Sequence, residues 1–290
     1  MTTVRFALLR GVCQLPAYVL HARGLLAARG IETRVEITPT AWLIPEQLGS
    51  GAADFGVLPW TRVAAAERGE APLKVLCGSG YEEAAIVVRT GIEIDAVRSV
   101  AIPREGGMKD LTAMRLLDSL GWTRERVEHR RFPSGDGAIL SLVGFGADAA
   151  SMIEPYAAMM EHLGVGRVVR RTGDVWPGAP GCSLAAGATL IGRDPTLVQT
   201  VVDAYVEAAQ FVETHLDEAA EIGARFIGVH ADIVRRALRV NRPNVDAVRS
   251  TDSMRKVLEF MRELGYVEAL PRDFSDLQFL DRSQERRTSA

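Results

Sequence analysis

Residues 4–37 read VRFALLRGVCQLPAYVLHARGLLAARGIETRVEI. Val4–Leu9 is a short apolar run that stops at Arg10-Gly11, the pattern of a buried strand. Pro16–Arg29 then places apolar residues at helical spacing, and Gly30 supplies a C-terminal stop. Thr33–Ile37 alternates apolar and polar residues and carries β-branched side chains, which reads as a second strand. Strand, helix and strand on short connections make a βαβ unit, with parallel strands and a helix laid over the sheet. This stretch puts the chain in the α/β class.

The same alternation continues outward. Ile44–Ser50 reads as a short helix, Asp54–Leu58 as a strand closed by Pro59, Thr61–Arg68 as a helix ending at Gly69, and Leu73–Cys77 as a fourth strand. The pattern then restarts. Strands are expected over Ala85–Arg89, Ser99–Pro103, Val127–Phe132, Ala149–Ile153 and Val168–Arg171, with helices between them, enough for a second sheet. Ala185–Ile191 reads as one further strand. Helices follow over Pro195–His215, Leu216–Phe226, Ala231–Leu238 and Thr251–Leu264, and the charged tail 281–290 is expected to be disordered.

Composition narrows the function. The chain has 290 residues, enough for two domains of ordinary size. Its 34 Lys and Arg stand against 37 Asp and Glu, so it carries no basic footprint for nucleic acid. No stretch reaches the roughly 18 apolar residues of a membrane span. Cys13, Cys77 and Cys182 are far apart and odd in number. Neither a disulfide framework nor a Cys/His zinc spacing is present, so no metal and no cofactor is expected. No nucleotide-binding glycine motif occurs. The N-terminus lacks a basic segment followed by an unbroken apolar one, so an intact chain of this sequence would be expected to stay in the cytoplasm.

Ligands of open α/β sheets sit at the carboxyl ends of the strands. The candidates there are Cys13, Gln14 and Tyr18, Thr40 and Trp42, Trp60 and Thr61, Ser79 and Tyr81, then Glu105, Gly106 and Gly107, Asp136, Glu154 and Tyr156. Two of the four tryptophans and three of the five tyrosines fall on these loops, the composition of an aromatic pocket with a few placed polar groups. Gly106-Gly107 precedes a helix whose backbone N–H groups could hold an anion. Cys13, near a helix start, is the one candidate nucleophile, although no histidine can be paired with it from sequence. Cys13 also fits a small buried hydrophobe.

Several ordered segments resemble the substrate-binding proteins of nitrate, sulfonate, taurine and thiamine-precursor ABC transporters. They are GLLAARGIE at Gly24–Glu32, QLGSGAADFG at Gln47–Gly56, AASMIEPYAA at Ala149–Ala158, the helix Leu197–Phe211, FMRELGY at Phe260–Tyr266 and the terminal segment Phe274–Leu280. The resemblance spans nearly the whole chain. It implies the type II periplasmic-binding-protein fold, with two mainly parallel sheets flanked by helices. Lobe I would comprise 1–89 plus 185–280 and lobe II 90–184, joined by crossings near Arg89 and Leu184. It further implies a small organic ligand held in the cleft by hinge closure, a permease partner, and a periplasmic or extracellular location. Where that family carries Ser or Thr, this chain reads Glu105-Gly106-Gly107-Met108, which widens the expected ligands from small oxyanions to flatter, aromatic ones. A catalytic branch, resembling hydroxybiphenyl sulfinate desulfinase, shares the fold and a cysteine before a proline, here Cys13-Gln14-Leu15-Pro16. The alternative it implies is a cysteine-dependent enzyme.

Overall fold

A computed structural model describes residues 2–105, 108–133 and 135–288. Its ten strands are β1 (Thr2–Leu8), β2 (Ile31–Ile37), β3 (Phe55–Pro59), β4 (Leu73–Gly78), β5 (Ala84–Arg89), β6 (Ser99–Pro103), β7 (Glu128–Phe132), β8 (Ala149–Ile153), β9 (Gly166–Arg171) and β10 (Cys182–Gly187). They form two five-stranded sheets, ordered β2-β1-β3-β10-β4 and β7-β6-β8-β5-β9. In each sheet four strands run one way and one runs against them: β10 between β3 and β4, and β5 between β8 and β9.

β1 shows why the first sheet forms. Val4, Phe6 and Leu8 point into a core shared with the helices Leu15–Ala22 and Pro195–Thr214. Ala7 faces the other way, into a core with Ile44 and Leu48. A strand covered on both faces must be apolar where it is covered, as this one is from Phe6 to Leu8. Its one charged side chain within the sheet ladder, Arg5, is held at the rim by a two-pronged bond to Asp54, at 3.0 and 2.9 Å. Gly56 in β3 lets the helix Ile44–Gly49 pack directly on the sheet, since a Cβ there would come within 2.7 Å of Ile44 Cγ2.

The expected boundaries need three corrections. Ala84–Arg89 pairs with β8 and β9, in the second sheet as the restarted pattern implied, so the chain first crosses between the lobes at residues 79–83 rather than at Arg89. The return crossing runs through residues 172–181, before β10, so Leu184 lies inside the first sheet. The tail is helical over Gln278–Thr288 rather than disordered. It lies on the long Pro195–Thr214 helix, where Gln199 Nε2 donates to the Phe279 carbonyl at 2.9 Å and Arg286 pairs with Asp203 at 2.9 Å. Just before it, Ser275 bridges to Val75 at the β4 edge, so the end of the chain docks on the first lobe. Two elements also differ locally. Ala185–Ile191 is strand only as far as Gly187 and then helix over Ala188–Arg193. The Pro16–Arg29 helix ends at Ala22, because Gly24 takes a left-handed conformation.

The two crossings run side by side. Tyr81 bridges Pro180, and the Gly181 N–H donates to the Gly80 carbonyl at 2.9 Å. No helix among the described residues is long and apolar enough to cross a membrane.

Candidate ligand-binding cleft

The carboxyl ends of β1, β2 and β3 face those of β6, β7 and β8 across a cavity of about 180 Å³. Leu9, Arg10, Ile37–Trp42, Pro59 and Arg62 line it from the first lobe. Pro103, Arg104, Asp110, Pro133, Asp136, Ile139, Met152, Ile153 and Tyr156 line it from the second. Three contacts span the mouth. Trp42 Nε1 donates to the Pro133 carbonyl at 3.4 Å, Arg62 Nη2 donates to the Glu105 carbonyl at 3.1 Å, and the Arg104 guanidinium lies 4.9 Å from the Trp42 ring centre.

The charge in the cleft is dominated by Arg10, Arg62 and Arg104. None of the three forms an ion pair among the described residues. Burial, with Arg104 nearby, pulls the Arg62 pKa below its ordinary value against the opposing pull of Asp110. A guanidinium nonetheless stays protonated at any working pH. The Arg62 Nε is buried with no hydrogen-bond partner among the described residues. The nearest buried carboxylate, Asp110, is engaged elsewhere: Arg131 Nη1 lies at 2.6 Å, and the Tyr266 hydroxyl donates to it at 2.8 Å. Asp136 is the exposed acid on the wall, and with burial it raises the neighbouring Tyr156 hydroxyl to about 12.

Of the residues expected at the site, Thr40, Trp42, Asp136 and Tyr156 meet on this wall. Glu105 stands at the mouth through its backbone carbonyl. Gly106 and Gly107 lie outside the described residues. The others serve the framework. Tyr18 is fully buried, stacked 4.5 Å from Phe226, with its hydroxyl donating to the Leu9 carbonyl. Trp60 is buried against Phe274 and donates to the Pro180 carbonyl at 2.9 Å. Thr61 is buried in the same helix start. Ser79 bonds the Cys13 carbonyl and the Tyr205 hydroxyl, and Tyr81 sits on the crossing. Glu154 is buried, held by Arg171 at 2.8 Å and the Ala158 N–H at 3.0 Å. Burial raises its pKa against the pull of Arg171.

Cys13 and Gln14 are also beneath the cleft rather than on it. The Gln14 Oε1 accepts the Leu9 N–H at 3.1 Å, and its Nε2 donates to Cys13 Sγ at 3.2 Å. Cys13 Sγ is 3.3 Å from Cys182 Sγ. The Cys182 contact lowers the Cys13 pKa, but burial and Glu83 raise it further, so the group stays a thiol. His21 is committed elsewhere, with Nδ1 2.6 Å from Thr33 Oγ1. Cys13 is therefore a buried thiol, without the exposure that a reactive nucleophile has.

A profile of the NMT1-like family matches residues 1–228. The chain belongs to the NMT1-like family. No curated protein matches it in sequence. Solved structures share the fold of this NMT1-like protein at low identity. The ligand-binding component of an ABC-type import system from Staphylococcus aureus, solved with zinc bound, superposes with a TM-score of 0.85 at 14% identity, covering 98% of this chain and 99% of that one. The periplasmic nitrate-binding protein NrtA from Synechocystis PCC 6803 gives 0.82 at 14% identity, covering 99% and 89%. The periplasmic aliphatic sulphonate binding protein SsuA from Escherichia coli gives 0.74 at 16%, covering 94% and 95%. The resemblance read from the ordered sequence segments is borne out, and the two-lobed fold is that of periplasmic binding proteins.

The sequence reading of this NMT1-like protein missed Arg10, Arg62 and Ile153. Arg10 is two residues past the end of β1 and Arg104 is the first residue past β6, while Arg62 lies in the helix that begins where β3 ends. Arg10 and Arg104, within two residues of a strand end, carried that signal; Arg62, deeper in its helix than Trp60 and Thr61, did not.

Proposed function

We propose that this protein binds a small organic anion in the cleft between its lobes and delivers it to an ABC-type importer. The observation that carries the reading is the convergence of Arg10, Arg62 and Arg104, without ion-pair partners among the described residues, on a cavity walled by Trp42, Tyr156, Ile139 and Ile153. Guanidinium groups bind carboxylate, sulfonate or phosphate through paired N–H donors. The rest of the wall is apolar and aromatic, suited to a ring or short alkyl body. An apolar cavity of about 150 Å³ accepts benzene, so 180 Å³ suits a solute of about one ring. The nitrate and sulphonate ligands named for two of the similar structures are anions as well. A permease partner and a periplasmic or extracellular location follow from the same reading. No observation favours the cysteine-dependent alternative over it.

The test is a thermal-shift panel of aryl and alkyl carboxylates, sulfonates and phosphonates, each run beside its neutral amide or sulfonamide counterpart. At least one anion should raise the melting temperature in a concentration-dependent way by mass action, and its neutral counterpart should not. Equal shifts from the neutral compounds, or no shift from any anion at millimolar concentration, would overturn the reading.

A further inference from the structure

We infer that Cys13, Cys182 and Glu83 form a binding site for one thiophilic divalent cation of the zinc type, at the hinge beneath the solute cleft. Their ligand atoms all lie within 4.8 Å of one another, and all three residues are buried, at 1%, 2% and 7% exposure. Cys13 Sγ is 3.3 Å from Cys182 Sγ, which is 3.2 Å from Glu83 Oε2. Tetrahedral zinc, with bonds of about 2.3 Å to sulfur and 2.0–2.2 Å to oxygen, spaces such ligands roughly 3.5–3.8 Å apart. The Cys13–Cys182 and Cys182–Glu83 pairs need to open by only a few tenths of an ångström to reach that spacing, and Cys13 and Glu83 lie within 4.8 Å of each other.

The surroundings are organised around the donors. The Cys182 N–H donates to Glu83 Oε1 at 2.6 Å, which leaves Oε2 turned toward the sulfurs. Gly181 makes room for that carboxylate, because a Cβ there would lie 2.1 Å from the Glu83 Cδ. The Gln14 amide is oriented by the Leu9 N–H, so its NH2 group faces Cys13 Sγ, as a donor supporting a metal thiolate does. A void of about 20 Å³ adjoins Glu83 and Cys182. About 10–15 Å³ suffices for one water, which would supply a fourth ligand. Two thiolates and a carboxylate suit zinc over magnesium or calcium. On binding, the thiol protons of Cys13 and Cys182 leave to solvent and two metal–sulfur bonds form.

The donors come from three remote segments: the turn after β1, the end of the first crossing and the end of the second. No spacing in the sequence could have revealed them. A metal there would tie both crossings to the first lobe.

Cobalt(II) reports the site directly. The reduced full chain should take up one equivalent and develop thiolate-to-cobalt charge-transfer absorption in the near ultraviolet. Zinc should bleach it, and Cys77→Ser should retain it. The band should be lost in Cys13→Ser and in Cys182→Ser and should change in Glu83→Gln. A reduced wild-type chain that develops no such band would overturn the proposal without reliance on any variant. So would an unchanged band in the folded Cys13→Ser/Cys182→Ser double variant.

Discussion

Arg62 is the side chain on which the cleft's chemistry turns. It is rooted in the helix Trp60–Ala65, reaches across to the Glu105 carbonyl and keeps a buried Nε without a partner among the described residues. A ligand anion that pairs with it gains a charge-assisted hydrogen bond of about 1.5–3 kcal/mol. Calorimetric titration of Arg62→Gln should therefore show affinity for the best anion lowered by roughly 10- to 100-fold, at about 1.4 kcal/mol per decade. Unchanged affinity would remove Arg62 from the site. At this scale the sequence was only partly legible. Trp42 and Tyr156 were placed rightly because the loops after β2 and β8 run along the cleft. Cys13, Gln14 and Tyr18 were not, because the turn after β1 folds back under the sheet and aims them into the core with Cys182 and Phe226. Which way a loop turns is decided by tertiary packing, which one segment does not encode.

At the scale of elements, strands with uniform character were readable. Ser99–Pro103 and Ala149–Ile153 run as expected, because both are buried along their length and apolar at all but one position, Ser99 and Ser151. Ala185–Ile191 was harder, since alanine, glycine and threonine fit either state and the switch to helix falls at Gly187. The restart of the pattern put β5 in the second sheet, but the crossing was drawn after it, and its antiparallel insertion between β8 and β9 was not legible, because an apolar strand reads the same in either direction. The close packing of the Ile44–Gly49 helix on β3 makes a prediction here. Gly56→Ala should destabilise the fold by about 1–3 kcal/mol through overpacking against Ile44. Urea denaturation should give a lower midpoint at an unchanged slope, and an unchanged midpoint would show that the helix can move aside.

For the molecule as a whole, pH acts through two half-buried imidazoles. Burial lowers the pKa of His21 and of His129 below the ordinary 6.5, with the Trp122 carbonyl partly opposing the shift at His129. The unfolded chain then binds protons that the folded chain refuses, so stability is fully present above about pH 6.5 and is lost as pH falls below it. The urea midpoint should drop between pH 7.5 and pH 5.5, and the drop should shrink in a His21→Gln/His129→Gln variant. That comparison separates the imidazoles from Glu154, whose raised pKa acts in the opposite sense. The cleft itself spans both lobes, closed by Trp42, Arg62 and Arg104. Its central property is the set of three arginines held against an aromatic wall. A crystal structure grown with the strongest anion from the thermal-shift panel tests that property most directly. The account predicts the anionic group within hydrogen-bonding distance of Arg62 and at least one of Arg10 and Arg104, with the body of the ligand against Trp42 or Tyr156. An anionic group directed away from all three arginines, or a ligand bound outside the cleft, would contradict it.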